Sequence, residues 1–223
     1  LCSGIVRGVG GQETEKFSLF GRTKKKARDV HIVYAGGDDV FLLGAWDDVV
    51  ELAVDLRQAF RRFTSGKLHF SAGIGFFKEK CPVAQMARRT GDLESYAKSR
   101  PGKDGVALFG AAMEGRTFAD MKERTQVYGW DEFIDEVCGE KLAFLQKHFS
   151  FDGQPAEHRV PLGKSAAYRL LSLLEAKEQS VQLARFAYVL ARLDPGEKAA
   201  SADTYQQIRT QLYAWYRDKK ERR

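Results

Sequence analysis

The chain has 223 residues, 43% of them hydrophobic, with fifteen Phe, enough to bury the core of one large domain or two small ones. Its formal charge of +6 and pI near 9.2 suit an anionic partner such as nucleotide or RNA, but suit many solvated proteins equally well. Cys2, Cys81 and Cys138 are odd in number and far apart, which argues against a disulfide framework or a zinc knuckle. His31, His69, His148 and His158 show no ligand spacing, no apolar run reaches membrane-spanning length, and no signal-peptide pattern is present, so a reducing cytoplasm is expected.

Residues 1–29 are glycine-rich and basic. Lys24, Lys25 and Lys26 read as a solvated loop in preference to an RNA contact. The opening LCSGIVRGVGG lacks Met and reads as part of something longer. Residues 30–43 then follow a strand–turn–strand pattern: VHIVYA and VFLL are β-branched and aromatic, and Gly36–Gly37 offer the positive φ of a tight hairpin. In the next segment Val49, Leu52, Ala53, Leu56, Phe60 and Phe63 recur at helical spacing as one apolar stripe. Asp48 with Glu51 suggests a capping box, and Arg57, Arg61 and Arg62 suit the negative C-terminal end of the helix. That gives Asp47 and Asp48 a structural role.

After Gly66, KLHFSAGIGFF predicts another strand. Pro82 sits where a first helical turn tolerates proline, and Val83, Met86, Ala87, Leu93 and Ala97 predict a second helix, interrupted at Gly91. SRPGKDGVALFG gives a turn and a short strand over Val106–Phe109. Residues 30–110 therefore read β-β-α-β-α-β, with helices covering one face of a mainly antiparallel sheet. From Thr117 onward the periodic segments are nearly all helical, and their aromatics read as core. The predicted fold class is α+β: a mixed sheet-and-helix domain over 1–114, then an all-α bundle over 115–223.

The chemistry concentrates in YAGGDDVFLL. Successive strand residues point to opposite faces, so Asp38 and Asp39 can approach one cation only if they sit at the bend. A divalent ion there would remove their mutual repulsion, and carboxylate oxygens suit Mg²⁺ or Mn²⁺. Gly36 and Gly37 would let a triphosphate approach the backbone closely. Lys98 at a helix end and Lys103 in the next turn could neutralise phosphates as point charges. Lys98 also has a plainer role as a helix-end charge complementing the dipole.

Taken in order, YAGGDDVFLLGAWDD, SAGIGFF and AKSRPGKDGVALFG resemble the second palm domain of the large subunit of type III CRISPR effector complexes, Csm-type (III-A) branch. That palm is related to diguanylate cyclases and nucleotide polymerases, and has a ferredoxin-like fold. The resemblance is specific over about residues 30–110, and the helical tail fits the family's C-terminal domain by position and composition. It implies condensation of ATP into 3′–5′ cyclic oligoadenylates, with release of pyrophosphate, when the complex binds target RNA. On this basis Asp38 and Asp39 would be the catalytic, metal-binding pair, Gly36 and Gly37 the turn that admits nucleotide, and Lys98 and Lys103 the triphosphate contacts.

The implied partners are the other subunits of the effector complex, the rest of the parent large subunit, and guide and target RNA through the complex, with no membrane. Related palms take a further metal-binding aspartate from an earlier strand, and none is visible in residues 1–29. The chain also lacks the His-Asp dipeptide and paired cysteines of the family's nuclease and zinc elements. It is therefore expected to be a C-terminal piece, weak or inactive in isolation, with no role in DNA cleavage. The rival readings are a template-dependent polymerase palm, a non-catalytic module binding RNA or a neighbouring subunit, and a GTP-using cyclase.

Overall fold

Two apolar runs broken by paired glycines fold back on each other as the first regular element among the described residues. In the computed structural model, which describes residues 17–20, 28–108, 126–151, 158–175, 179–197 and 199–217, β1 (Val30–Gly36) pairs antiparallel with β2 (Asp39–Gly44), with a register shift between Ile32 and Tyr34. Gly44 closes the open end of the hairpin. A Cβ there would lie 2.2 Å from the Asp29 carbonyl oxygen, so the strands can meet this closely only because the residue has no side chain.

Helix α1 (Trp46–Phe63) follows directly, but without the predicted capping box. Its N-cap is Ala45, with no side-chain cap. Asp48 instead accepts a 2.9 Å hydrogen bond from the Asp29 amide. Glu51 accepts from the Leu19 amide at 3.0 Å, and Asp55 accepts from the Phe17 amide at 2.8 Å. Arg28 lies between these two carboxylates, 3.6 Å from Glu51 and 2.6 Å from Asp55. At spacings of three and four these acids share one face of the helix, and they hold residues 17–19 and the start of β1 against it. The apolar stripe also differs from expectation. Val50, Leu52 and Val54 are buried, whereas Phe63 is exposed.

The predicted single, mainly antiparallel sheet is replaced by two smaller ones. The hairpin stands as its own sheet, while β3 (Ala72–Ile74), β4 (Gly105–Leu108) and β5 (Gln126–Gly129) form a second in the order β3-β4-β5. β3 and β4 pair in parallel because helix α2 (Val83–Lys98) carries the chain back along the sheet between them, as parallel neighbours require. Gly91 does not break α2, which runs continuously through it. Only three residues of the predicted KLHFSAGIGFF strand are extended. Leu93, Tyr96 and Ala97 of α2 bury against Ala107, with Phe77 and Val127 packed alongside.

The chain divides into two compact units, Leu1–Gly139 and Glu140–Arg223. The expected division between 114 and 115 falls among residues outside the description. The first unit takes in β5, which pairs antiparallel with β4, and Trp130, which is fully buried and donates from Nε1 to the Phe70 carbonyl at 3.0 Å. Phe60, Phe70 and Trp130 stack edge-to-face in series, with centroids 5.5 and 5.4 Å apart. A short α-turn, Trp130–Glu132, then passes into the π-form stretch Phe133–Leu142.

The second unit contains α3 (Ala143–His148), β6 (Phe149–Ser150), β7 (Val160–Pro161), α4 (Lys164–Glu175), α5 (Gln179–Ala191) and α6 (Ala202–Arg217). It is mainly helical, with a short parallel β6–β7 pair that periodicity did not suggest. Phe149, Phe186, Tyr205, Ile208 and Tyr216 lie in its core, and Phe186 stacks on Tyr216 at 4.5 Å. The Tyr205 hydroxyl donates to the Leu190 carbonyl at 3.0 Å. Aromatics in this unit are not uniformly core, since Tyr168 and Tyr188 are exposed. No described helix is long and apolar enough to cross a membrane.

The contact between β3 and α2 also brings two backbones close together. A Cβ on Gly73 would lie 2.4 Å from the Thr90 carbonyl oxygen and 2.5 Å from the Glu94 amide nitrogen. Because both neighbours are backbone, Gly73→Ala is expected to cost about 1–3 kcal/mol, as overpacking does. Chemical denaturation measures this, and an unchanged midpoint would show that α2 can move away freely.

Candidate functional site

The hairpin tip is a two-residue turn, with Gly36 paired to Asp39 across it and Gly37 and Asp38 in the bend. Gly37 has φ 62°, the left-handed region that costs a non-glycine residue about 1–2 kcal/mol. It also has no atom within 4 Å of a hypothetical Cβ, so the space over the turn is open. Gly36 is explained differently. Its Cβ would meet the Tyr34 hydroxyl at 2.7 Å, because the tyrosine ring lies across it.

Asp38 occupies the turn and Asp39 begins β2, and both are exposed. Among the described residues neither carboxylate enters an ion pair. The strands behind them are also open: Ile32, Val33, Tyr34 and Val40 are exposed apolar residues. No group of three or more His, Cys, Asp or Glu side chains among the described residues could hold a metal. Two adjacent carboxylates still suit Mg²⁺, which commonly takes one or two protein oxygens and completes its shell with water and phosphate.

Lys98, the last residue of α2, lies within the electrostatic reach of this pair. Its ammonium lies 2.8 Å from Glu94, one turn earlier on the helix. That hydrogen bond raises its pKa above the usual 10.5. Partial burial opposes the rise, and the negative fields of Glu94, Asp39 and Asp38 add to it. Three carboxylates thus favour its charged form, and Glu94 is in direct contact.

Lys103 is placed differently. It lies in a short 3₁₀ turn, Pro101–Lys103, with φ 52° beside Gly102 at φ 80°. Its carbonyl accepts from the Ser71 hydroxyl at 2.8 Å, and its side chain makes no ion pair among the described residues. The structure therefore brings Asp38, Asp39 and Lys98 into one electrostatic neighbourhood, while Lys103 stands on the turn that follows Lys98.

Residues 11–107, which include all of these positions, match the family model of the Cas10/Cmr2 second palm domain. Residues 146–223 match that of the second helical domain of the CRISPR RNA silencing complex Cmr2 subunit. The chain belongs to the Cas10/Cmr2 family. Two curated relatives carry the name CRISPR system single-strand-specific deoxyribonuclease Cas10/Csm1 (subtype III-A). The one from Mycobacterium tuberculosis is 40% identical over 90% of this chain, and the one from Enterococcus italicus is 37% identical over 88%. The chain spans 22% of the length of each. A solved Csm1–Csm4 cassette in complex with AMPPNP shares the fold, with a TM-score of 0.54 and 24% identity over 87% of this chain and 26% of that one.

Within this Cas10/Cmr2 palm, several residues of the site were not singled out from sequence. Glu94 was readable in principle, because DLESYAK places it four residues before Lys98. Arg57, expected to complement the helix dipole, is instead buried at 3% side-chain exposure and lies 2.6 Å from Asp104. Arg100, without an assigned role, donates to the Val127 carbonyl at 3.3 Å and lies 3.2 Å from Glu132. Cys138 belongs to no site; burial pushes its thiol up to about 12, far from the thiolate form that does chemistry.

Because Glu94 contributes most to the raised Lys98 pKa, Glu94→Gln is expected to lower it more than Asp38→Asn with Asp39→Asn. The folded-state pKa lies above the usual lysine value of 10.5. Any stability from this lysine is therefore fully present below about pH 10.5 and lost as pH rises through the higher folded value. NMR titration of the lysine side chain in the three proteins checks the order, and a larger drop for the double aspartate variant would reverse it.

Proposed function

We propose that this chain supplies the nucleotide-converting palm of a type III CRISPR effector large subunit, making cyclic oligoadenylates from ATP in the cytoplasm once target RNA is bound. The observation that carries this reading is the hairpin tip. Asp38 and Asp39 are exposed and outside any described ion pair, and both act on the positive Lys98. Family membership supports the palm itself, and the named activity goes beyond it. The other subunits of the complex, the rest of the large subunit, and guide and target RNA would be its partners.

Asp38 and Asp39 would hold Mg²⁺ or Mn²⁺, whose hard-oxygen preference suits their carboxylates. The cation would supply charge neutralisation to the triphosphate and acidify the attacking hydroxyl. Gly37, with open space above it, leaves room for phosphates at the backbone. Lys98 and Lys103 offer ammonium groups to the same phosphates. In the reaction the 3′-hydroxyl oxygen of one ATP bonds to the α-phosphorus of another. The bond to pyrophosphate breaks, pyrophosphate leaves with the electron pair, and the hydroxyl proton passes to solvent.

Incubating the assembled effector complex with ATP, Mg²⁺ or Mn²⁺ and target RNA, with products identified by mass spectrometry, tests this. Cyclic oligoadenylates are expected from the native complex, with at least about a hundredfold loss for Asp38→Ala with Asp39→Ala, the scale of removing a principal electrostatic stabiliser. Unimpaired synthesis by that variant would remove the hairpin from the chemistry. Templated incorporation of all four nucleotides would instead identify a polymerase.

A further inference from the structure

Arg57 is a poor residue to bury for stability. Only Nη2 has a partner, Asp104 Oδ2 at 2.6 Å. Arg57 Nε and Nη1 and Asp104 Oδ1 are buried with no hydrogen-bond partner. Desolvating a guanidinium and using one of its donors costs stability relative to a well-packed apolar side chain. What the pair provides is placement. Asp104 closes the turn between α2 and β4, and that turn begins immediately after Lys98 and contains Lys103.

Other ties converge on the same few residues. Ser71 holds the Lys103 carbonyl, and Arg100 reaches the Val127 carbonyl and Glu132. Lys103 sits in the left-handed region, a local strain for a non-glycine residue that persists only where surrounding contacts enforce it. The Arg57 tie is distinct because of the helix it comes from. Helix α1 leaves the hairpin directly after β2, and Asp48 near its start holds the Asp29 amide at the foot of β1. Arg57 lies two and a half turns further on, about 13–14 Å along the axis. One rigid helix therefore anchors the acidic hairpin near one end and the basic turn near the other.

We propose that Arg57 is a positioning residue for nucleotide binding: through Asp104 it sets the turn bearing Lys98 and Lys103 relative to the Asp38–Asp39 hairpin. This rests on the function proposed above. Arg57 is buried, and its charge is directed at Asp104. Its loss should therefore weaken triphosphate binding while leaving the affinity of the hairpin for free Mn²⁺ unchanged.

The test uses the assembled complex with Arg57→Met, Asp104→Asn, the two combined, and Arg57→Lys. Binding of a fluorescent non-hydrolysable ATP analogue, binding of Mn²⁺ alone and thermal midpoint are measured in each. The double variant removes both charges together, so it should keep a near-native midpoint. It should still bind the analogue about tenfold more weakly, since small misplacements of binding groups cost this much or more. Arg57→Lys should recover most of the affinity, because only one guanidinium nitrogen is used. Native analogue affinity in the double variant overturns the inference, as does an equal loss of Mn²⁺ binding. If the native complex binds no analogue, or Asp38→Ala with Asp39→Ala retains full synthesis, the functional reading falls and this inference falls with it. Native behaviour in both controls with unaffected Arg57 variants removes this inference alone.

Discussion

The missing side chain of Gly73 lets α2 approach β3 to backbone distance, and the geometry of the first unit depends on that approach. Thr90 and Glu94 are the residues a Cβ would strike, so the middle of the helix is pressed onto the strand. From this contact Leu93 and Ala97 turn inward, fully buried, while Glu94 and Lys98 stay on the rim. The helix ends at Lys98 and the chain re-enters the sheet at Gly105, parallel to β3. Packing of α2 on β3 thus fixes where Lys98 ends the helix, and Glu94, Asp39 and Asp38 favour its charged form.

The acidic residues of this unit divide by use. Asp48, Glu51 and Asp55 satisfy backbone amides and Arg28 along one face of α1. Asp104 and Glu132 pair with Arg57 and Arg100. These carboxylates are committed to holding elements together, and an incoming cation would have to compete with their partners. Asp38 and Asp39 are adjacent, exposed and outside any described ion pair. Two like charges left side by side at a turn lower no folding free energy by their mutual interaction. Their setting thus differs from that of the carboxylates that hold elements together.

The hairpin was legible because its information is local: alternating apolar residues and a glycine at the bend are read within ten positions. The main helices were legible for the same reason. What failed depends on residues far apart in the chain. The parallel pairing of β3 with β4 is decided by where α2 returns the chain. Asp48 and Glu51 form a capping box by spacing, yet their real partners are Asp29 and Leu19, drawn in by tertiary packing. The burial of Arg57 requires Asp104, 47 residues away, and Trp130 joins the first unit through Phe70, 60 residues away. A capping motif or a helix-end charge identifies what a residue could do locally, and a buried long-range partner overrides it.

The chain's charge also has a location. Residues 140–223 hold fifteen Lys and Arg against ten Asp and Glu, and residues 1–139 hold twenty-one against twenty. Nearly all of the net +6 therefore belongs to the second unit. A polyanion such as RNA is attracted by accumulated charge, which makes the second unit the better-suited surface for it. The first unit has almost no net field to draw in a triphosphate. On the function proposed above, attraction there would come from the local arrangement of Lys98, Lys103 and a cation on Asp38 and Asp39. A site built this way depends more on the distance between its acidic hairpin and its basic turn than on overall charge. On that reading the helix that joins the two would matter as much as the residues that would meet the nucleotide.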